Sequence, residues 1–176
     1  PSEIILDVLG DADRPVAALS GPSIAPEIAE ELPATVTVAS VSDDLSRNVQ
    51  ECISRPYFRV YTNPDIVGVE LAGAMKNVIA IAAGALDGMG AGVNAKAALL
   101  TRGLVEISRL GQAAGAQNET FAGLSGLGDL VTTCFSPVGR NRCFGQAIGS
   151  GVSVDEALRE AHGIVEGVAK IGRAHV

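Results

Sequence analysis

NPDIVGVELAGAMKN, running from Asn63 to Asn77, is the stretch on which the fold turns. Pro64 closes a strand, and a long apolar helix is predicted to follow, carrying one lysine, Lys76, beside Asn77. A lone ammonium on an apolar face costs free energy unless it reaches water or something uses it. A desolvated lysine has a lowered pKa and can accept a proton near neutral pH. The bland alternative is that Lys76 snorkels along its helix to solvent.

Upstream of Asn63 the pattern is mixed. SEIILDVLG at the start reads as a helix, PVAALS (15–20) is β-rich and GPS follows as a turn. Residues 25–32 read as a helix with an acidic outer face, and TVTVAS (35–40) alternates like a strand. Residues 42–54 read as a helix with Ser42 or Asp43 at its N-cap, and FRVYTN (58–63) as a strand. This strand–helix–strand rhythm predicts one end of an α/β sheet. Downstream the β signal nearly vanishes. Helices are predicted at 65–86, 94–115, 118–123, 128–134, 140–149 and 153–161, with Asn94 capping the second and a capping-box spacing from Ser153 to Glu156. The organisation expected is an α/β piece over 1–63 and an all-helical domain over 64–170.

With 47% hydrophobic residues the chain is globular, and its net charge of −7 argues against a nucleic-acid or anionic-membrane surface. Residues 66–86 are apolar enough to raise a membrane helix, but Glu70 and Lys76 within them favour a buried helix and no span. Three cysteines, Cys52, Cys134 and Cys143, without CxxC spacing suggest neither a disulfide frame nor a metal site, so a reducing cytoplasm is expected. Cys134 and Cys143 read as small buried hydrophobes, and His162 receives no role.

Two polar clusters follow the helix, GLGDL (126–130) and GRNR (139–142). Asp129 is either a plain N-cap or a carboxylate facing a site, or both. Arg140 offers a planar fork suited to phosphate and Asn141 a neutral donor and acceptor; the alternative is a solvated basic helix start. Lysine, aspartate, arginine and asparagine together suit holding a small phosphorylated alcohol and taking its proton. GMGAGV (88–93) and GLGDLV (126–131) approach the dinucleotide fingerprint but lack its third glycine and follow no strand, so neither reads as the cofactor loop.

LSGPSIAPEIA, FRVYTNPDIVGVELAGAMKNVIAIAAGALDGMG, NAKAALLTRGLVEISRLG, FAGLSGLGDLVTTC, GRNRCFG and IVEGV occur in this order and cover about residues 2–169. Together they resemble bacterial-type NAD(P)-dependent glycerol-3-phosphate dehydrogenase. The resemblance implies the last strands of a Rossmann-type sheet, then an all-α substrate domain like the C-terminal domain of 6-phosphogluconate dehydrogenase. It implies sn-glycerol 3-phosphate or dihydroxyacetone phosphate as substrate and NAD or NADP as cofactor. It leaves a homodimer open. It assigns proton transfer to Lys76; substrate contacts to Gly21, Ser23, Lys76, Asp129, Gly139, Arg140 and Asn141; and cofactor contacts to Ala25, Arg140, Ile164 and Glu166. It implies no metal. The family usually places a serine where this chain has Gly139, which removes one hydroxyl donor to the phosphate. The glycine loop is not in this chain, so the chain alone is expected to be a fragment with little or no turnover. IGRAHV (171–176) matches the translation of a common sequencing adaptor, which marks it as a non-native tail and leaves Arg173 and His175 without a role. The rival from another class is a non-catalytic helical module for phosphate binding or oligomerisation.

Overall fold

The computed structural model describes residues 1–161 and 163–173; His162 and residues 174–176 of the expected tail lie outside it. Helix α1 (Ser2–Leu9) ends at Gly10 in the left-handed conformation. Strands β1 (Ala18–Ser20), β2 (Ala34–Ala39) and β3 (Phe58–Asn63) form a sheet in that order. The β1–β2 pair is antiparallel, with Ala18 opposite Ala39; the β2–β3 pair is parallel, with Ala34 opposite Phe58. The first strand is shorter than its β-rich sequence. Pro15 brings no N–H to a ladder, and the Val16 carbonyl accepts instead from Ser40 Oγ at 2.6 Å. Helix α2 (Ala25–Ala29) stops early because Glu31 turns to positive φ (57°) and Leu32 N–H closes on the Glu27 carbonyl. Helix α3 (Asp43–Ile53) starts as expected, with Ser42 Oγ accepting from Leu45 N–H at 3.3 Å.

Helices dominate after β3: α4 (Ile66–Gly88), α5 (Gly92–Ala113) and α6 (Asn118–Ala122). A π-helical turn (Leu124–Gly128) runs directly into α7 (Asp129–Phe135), and α8 (Arg140–Gly149), α9 (Val154–Glu160) and α10 (Glu166–Arg173) complete the chain. Asn94 is not a cap. Gly92 sits at φ 84°, which glycine accepts, and the helix begins there, so Asn94 lies inside the first turn. Ser153 caps α9 as the capping box predicts, accepting from Glu156 N–H at 3.3 Å.

Two compact units describe the packing, one of Pro1–Gly73 with Leu110–Asp129 and one of Ala74–Arg109 with Leu130–Val176. In the first, Val36, Val38 and Val60 pack with Val49 and Ile53 of α3. The π-helical turn also packs on β2, so both faces of that strand are covered and even Thr37 is buried. The start of α4 is held by Asp65, whose carboxylate accepts from Gly68 N–H (2.8 Å), Gln117 N–H (2.8 Å) and Thr120 Oγ (2.6 Å). Glu70, on the same helix, accepts from Ser2 N–H at 2.8 Å and from Ser2 Oγ at 3.1 Å. By length and composition α4 could cross a membrane, but this acid meets protein partners.

In the second unit, Ala80, Ala83, Leu100, Leu130 and Cys134 form one cluster and Phe144, Ala157 and Val165 another. Helices α4 and α8 touch backbone to backbone. A Cβ on Gly84 would lie 1.9 Å from the Arg142 carbonyl oxygen, and one on Gly145 would lie 1.9 Å from that of Ile81. Gly88 and Gly149 extend the seam one turn further, with equivalent gaps of 2.2 Å to Gln146 and Ala85.

Candidate active site

The seam fixes α8 against α4, and α8 carries Arg140 and Asn141 at its N-terminus. Asn141 is 5% exposed and its amide is committed at both ends. Its Oδ1 accepts from Gly167 N–H at 2.8 Å, and its Nδ2 donates to Glu166 Oε2 at 2.9 Å. The other oxygen of Glu166 pairs with the Arg140 guanidinium. Gly167 has no room for a side chain: a Cβ there would meet Ile81 Cδ1 (2.6 Å), the Asn77 carbonyl (2.8 Å) and Asn141 Oδ1 (2.9 Å). The first turn of α10 therefore joins α8 to the part of α4 that bears Lys76 and Asn77. Lys170, one turn on, donates to the Ala74 carbonyl at 2.7 Å. Thus Lys76, Arg140, Asn141 and Glu166 lie in one compact unit, linked through α10. Ile164, before α10, is mostly exposed.

Gly21, Ser23, Ala25 and Asp129 belong to the first unit. Asp129 is not an N-cap: its backbone is right-handed helical (φ −70°, ψ −34°) and continues the π-helical turn. Its carboxylate is 3% exposed and accepts from Ser20 Oγ at 3.1 Å. Gly21 has φ 147°, and a Cβ there would lie 2.9 Å from Val36 Cα, so strand packing requires this glycine. Ser23 is exposed and donates to the Gly21 carbonyl at 3.0 Å, while Ala25 opens α2 on the surface.

Sequence reading missed three things. The basic start of α8 is not simply solvated: Arg142 turns inward and bonds Asp87 through Nε (2.8 Å) and a terminal nitrogen (2.7 Å). Lys96, 5% exposed, holds the same carboxylate at 2.8 Å. Burial pushes the Asp87 carboxyl up, but hydrogen bonds and charge from Lys96 and Arg142 outweigh it and hold its pKa below the usual range. Cys143 is exposed, contrary to its apolar reading, and its thiol donates to the Pro137 carbonyl at 3.2 Å. Cys134 is buried as expected, and burial pushes its thiol up to about 12. The third is α10, whose sequence overlaps the excluded tail. Among the described residues no cluster could hold a metal ion.

A family model described as the C-terminus of NAD-dependent glycerol-3-phosphate dehydrogenase matches residues 65–176, and its N-terminal counterpart matches residues 1–46. The chain belongs to the NAD-dependent glycerol-3-phosphate dehydrogenase family. The Thermobifida fusca glycerol-3-phosphate dehydrogenase (NAD(P)+) is 53% identical over 180 residues, which cover 99% of this chain and 54% of that protein. The Geobacter sp. strain M21 dehydrogenase is 55% identical over 168 residues, covering 95% and 50%. The crystal structure of glycerol-3-phosphate dehydrogenase from Coxiella burnetii matches with a TM-score of 0.94 and 45% identity, over 99% of this chain and 53% of that one. The chain thus spans about half the length of the dehydrogenases it matches. Its short sheet followed by a helical region is the fold of that family, as the sequence predicts.

Proposed function

We propose that the chain is the substrate-holding part of an sn-glycerol-3-phosphate dehydrogenase, which interconverts sn-glycerol 3-phosphate and dihydroxyacetone phosphate. One observation carries this reading: Lys76, Arg140, Asn141 and Glu166 share one compact unit in which α10 is bonded to both α8 and α4.

In the oxidation direction the Lys76 amine takes the proton of the C2 hydroxyl, while the C2 hydrogen leaves with its electron pair and the C2 carbonyl forms. In reduction the Lys76 ammonium returns the proton to that oxygen. Arg140 offers two parallel N–H groups to phosphate oxygens. It is half exposed and already matched to a carboxylate, so an incoming dianion exchanges one acceptor for another instead of binding at a bare charge. Asn141 keeps one amide hydrogen for substrate once Glu166 and Gly167 are satisfied. Gly139, at the N-cap of α8, is a further proposed substrate contact; for Gly21, Ser23 and Asp129, in the first unit, the proposal rests on the family resemblance alone.

NAD or NADP, when bound, supplies the carrier for the C2 hydride. The residues here fit one end of it only. The Gly126 and Gly128 positions that a phosphate cradle would need are filled by the chain itself: a Cβ on Gly126 would lie 2.1 Å from the Phe121 carbonyl oxygen, and one on Gly128 would lie 3.3 Å from Pro22. Arg140, Ile164 and Glu166, in the second unit, are the residues proposed to hold the nicotinamide end, and Ala25 is proposed as a cofactor contact on the family resemblance alone. A homodimer, a cytoplasmic setting and a role in glycerophospholipid precursor supply go with this reading.

Joining the chain to the N-terminal half of the Thermobifida fusca relative should give NAD(P)H oxidation dependent on dihydroxyacetone phosphate. Lys76→Ala in that hybrid should cut turnover by about two to four orders of magnitude with an unchanged circular dichroism spectrum. Near-undiminished turnover would remove Lys76 from the chemistry. A hybrid that binds phosphate without turnover would return the non-catalytic module.

A further inference from the structure

Glu166 opens α10, and both oxygens of its carboxylate are engaged by the two residues that open α8. One oxygen pairs with a terminal nitrogen of Arg140, and the other accepts from Asn141 Nδ2 at 2.9 Å. The adjoining Gly167 N–H donates to Asn141 Oδ1 at 2.8 Å, which fixes the register of the clasp. All four residues lie in the second unit. Arg140 and Asn141 are also the donors proposed for the substrate. A carboxylate and a phosphate present the same kind of acceptor, an anionic oxygen, to a guanidinium and an amide. The acid therefore stands where a phosphate oxygen has to go.

The rival place for an anion is a cavity of about 370 Å³ that Arg140 also lines. Its other walls include Val138, Cys143, Phe144 and Ala157, which offer an anion no strong donor, and Glu160, whose charge repels one. Arg140 and Asn141 converge on Glu166 instead. The ion pair is open to solvent, with Arg140 48% and Glu166 35% exposed, so an anion can reach it and the pair itself is weak. We propose that Glu166 is an internal stand-in for the substrate phosphate: it holds Arg140 and Asn141 in place until a phosphate dianion displaces it, and so sets the affinity of the site. A resident competitor lowers the affinity of every anion by the fraction of sites it leaves open. A dianion with several oxygens overcomes it, and a weak monoanion does not. The assignment rests on the dehydrogenase reading and gives Glu166 a task beside its proposed cofactor contact.

The test is calorimetry on this chain, with inorganic phosphate and sn-glycerol 3-phosphate as probes. Glu166→Gln keeps an oxygen for Asn141 and removes the charge that pairs with Arg140, so it should tighten both anions about fivefold. Glu160→Gln removes an exposed charge from the cavity wall beside Arg140 and should stay within about twofold of the parent. In the unaltered chain, saturating phosphate should move the side-chain amide signals of Asn141 in a nitrogen-15 spectrum, because Nδ2 changes partner. Unmoved signals would overturn the assignment, and that readout needs no variant to fold. A parent that binds both anions, with Glu166→Gln binding them no more tightly, would sink this proposal alone: Glu166 would then steady Arg140 for the substrate rather than stand in for it. Equal gains from Glu166→Gln and Glu160→Gln would also sink it, leaving only the general field of nearby acids. Binding of neither anion by parent or variant would sink the dehydrogenase reading with it.

Discussion

At the scale of single residues, Gly139 is the position where a small change separates binding from stability. It is the N-cap of α8, has an ordinary φ of −68° and supplies no side-chain cap. A Cβ there would lie 3.3 Å from the Thr133 carbonyl oxygen and 3.7 Å from Ser136 Cβ. Ser136 Oγ is buried without a hydrogen-bond partner among the described residues, so a new hydroxyl has two possible acceptors of its attention: Ser136 or the substrate phosphate. Gly139→Ser should tighten phosphate binding about fivefold, the worth of one hydrogen bond of about 1 kcal/mol, and shift melting by only a degree or two. A higher melting temperature with an unchanged dissociation constant would mean that the hydroxyl serves Ser136 and that residue 139 does not face the anion. Lys76, Arg140 and Asn141 stood out in the sequence as candidates because each is a polar residue set beside an apolar or glycine-rich run. Lys170 and Asp87 did not. Their partners lie 96 residues away at Ala74 and 55 residues away at Arg142, and no periodicity reports contacts at that range.

At the scale of elements, the α4–α8 contact decides where Arg140 and Asn141 stand. Gly84 and Gly88 on one helix and Gly145 and Gly149 on the other repeat at a spacing of four, which puts each pair on one face and lets the backbones meet. That spacing was visible in the sequence, but helical periodicity was read from its large apolar residues, so the closest contact went unseen. Gly145→Ala should cost about 2–3 kcal/mol and lower melting by about 5–10 °C, because the carbonyl of Ile81 is backbone and cannot rotate away. Melting within a degree of the parent would mean that the helices are not so close. The same pair of helices is joined by Asp87, with Lys96 of α5 as third member. Removing that cation by Lys96→Met should cost about 3 kcal/mol. The folded pKa of Asp87 lies below its unfolded value of 3.8, so its ion pairing stabilises the fold fully above that value and is lost as pH falls through the folded pKa. The melting gap between the parent and Asp87→Asn should therefore hold from pH 7 down to about 4 and close below it. A gap that closes near pH 6 would assign the effect to another group. The strands, by contrast, were read nearly to the residue where alternation and proline speak, at β2 and β3, and less well at β1, where one carbonyl is taken by a serine side chain.

At the scale of the whole molecule, the three cysteines report how the fold opens. Cys52 and Cys143 are exposed, and Cys134 is fully buried in the cluster of Ala80, Ala83, Leu100 and Leu130. A thiol alkylates as its thiolate, and burial raises the Cys134 pKa to about 12, so in the folded state it is both shielded and protonated. It can react only when that core separates. A domain of this size is stable by about 5–15 kcal/mol, and core positions open with free energies near the global value. With excess iodoacetamide at pH 8, Cys52 and Cys143 should alkylate promptly, and Cys134 slower by about a thousandfold or more. Its rate should rise exponentially with urea, with a slope proportional to the surface that opening exposes. A small slope would mean that Cys134 is reached by local separation of α4 from α7 rather than by unfolding. Equal rates at all three cysteines would be the decisive failure: the small-residue core would then lack the packing needed to hold α8 and α10 in register with Lys76, and a catalytic arrangement of these residues would have no scaffold to keep it.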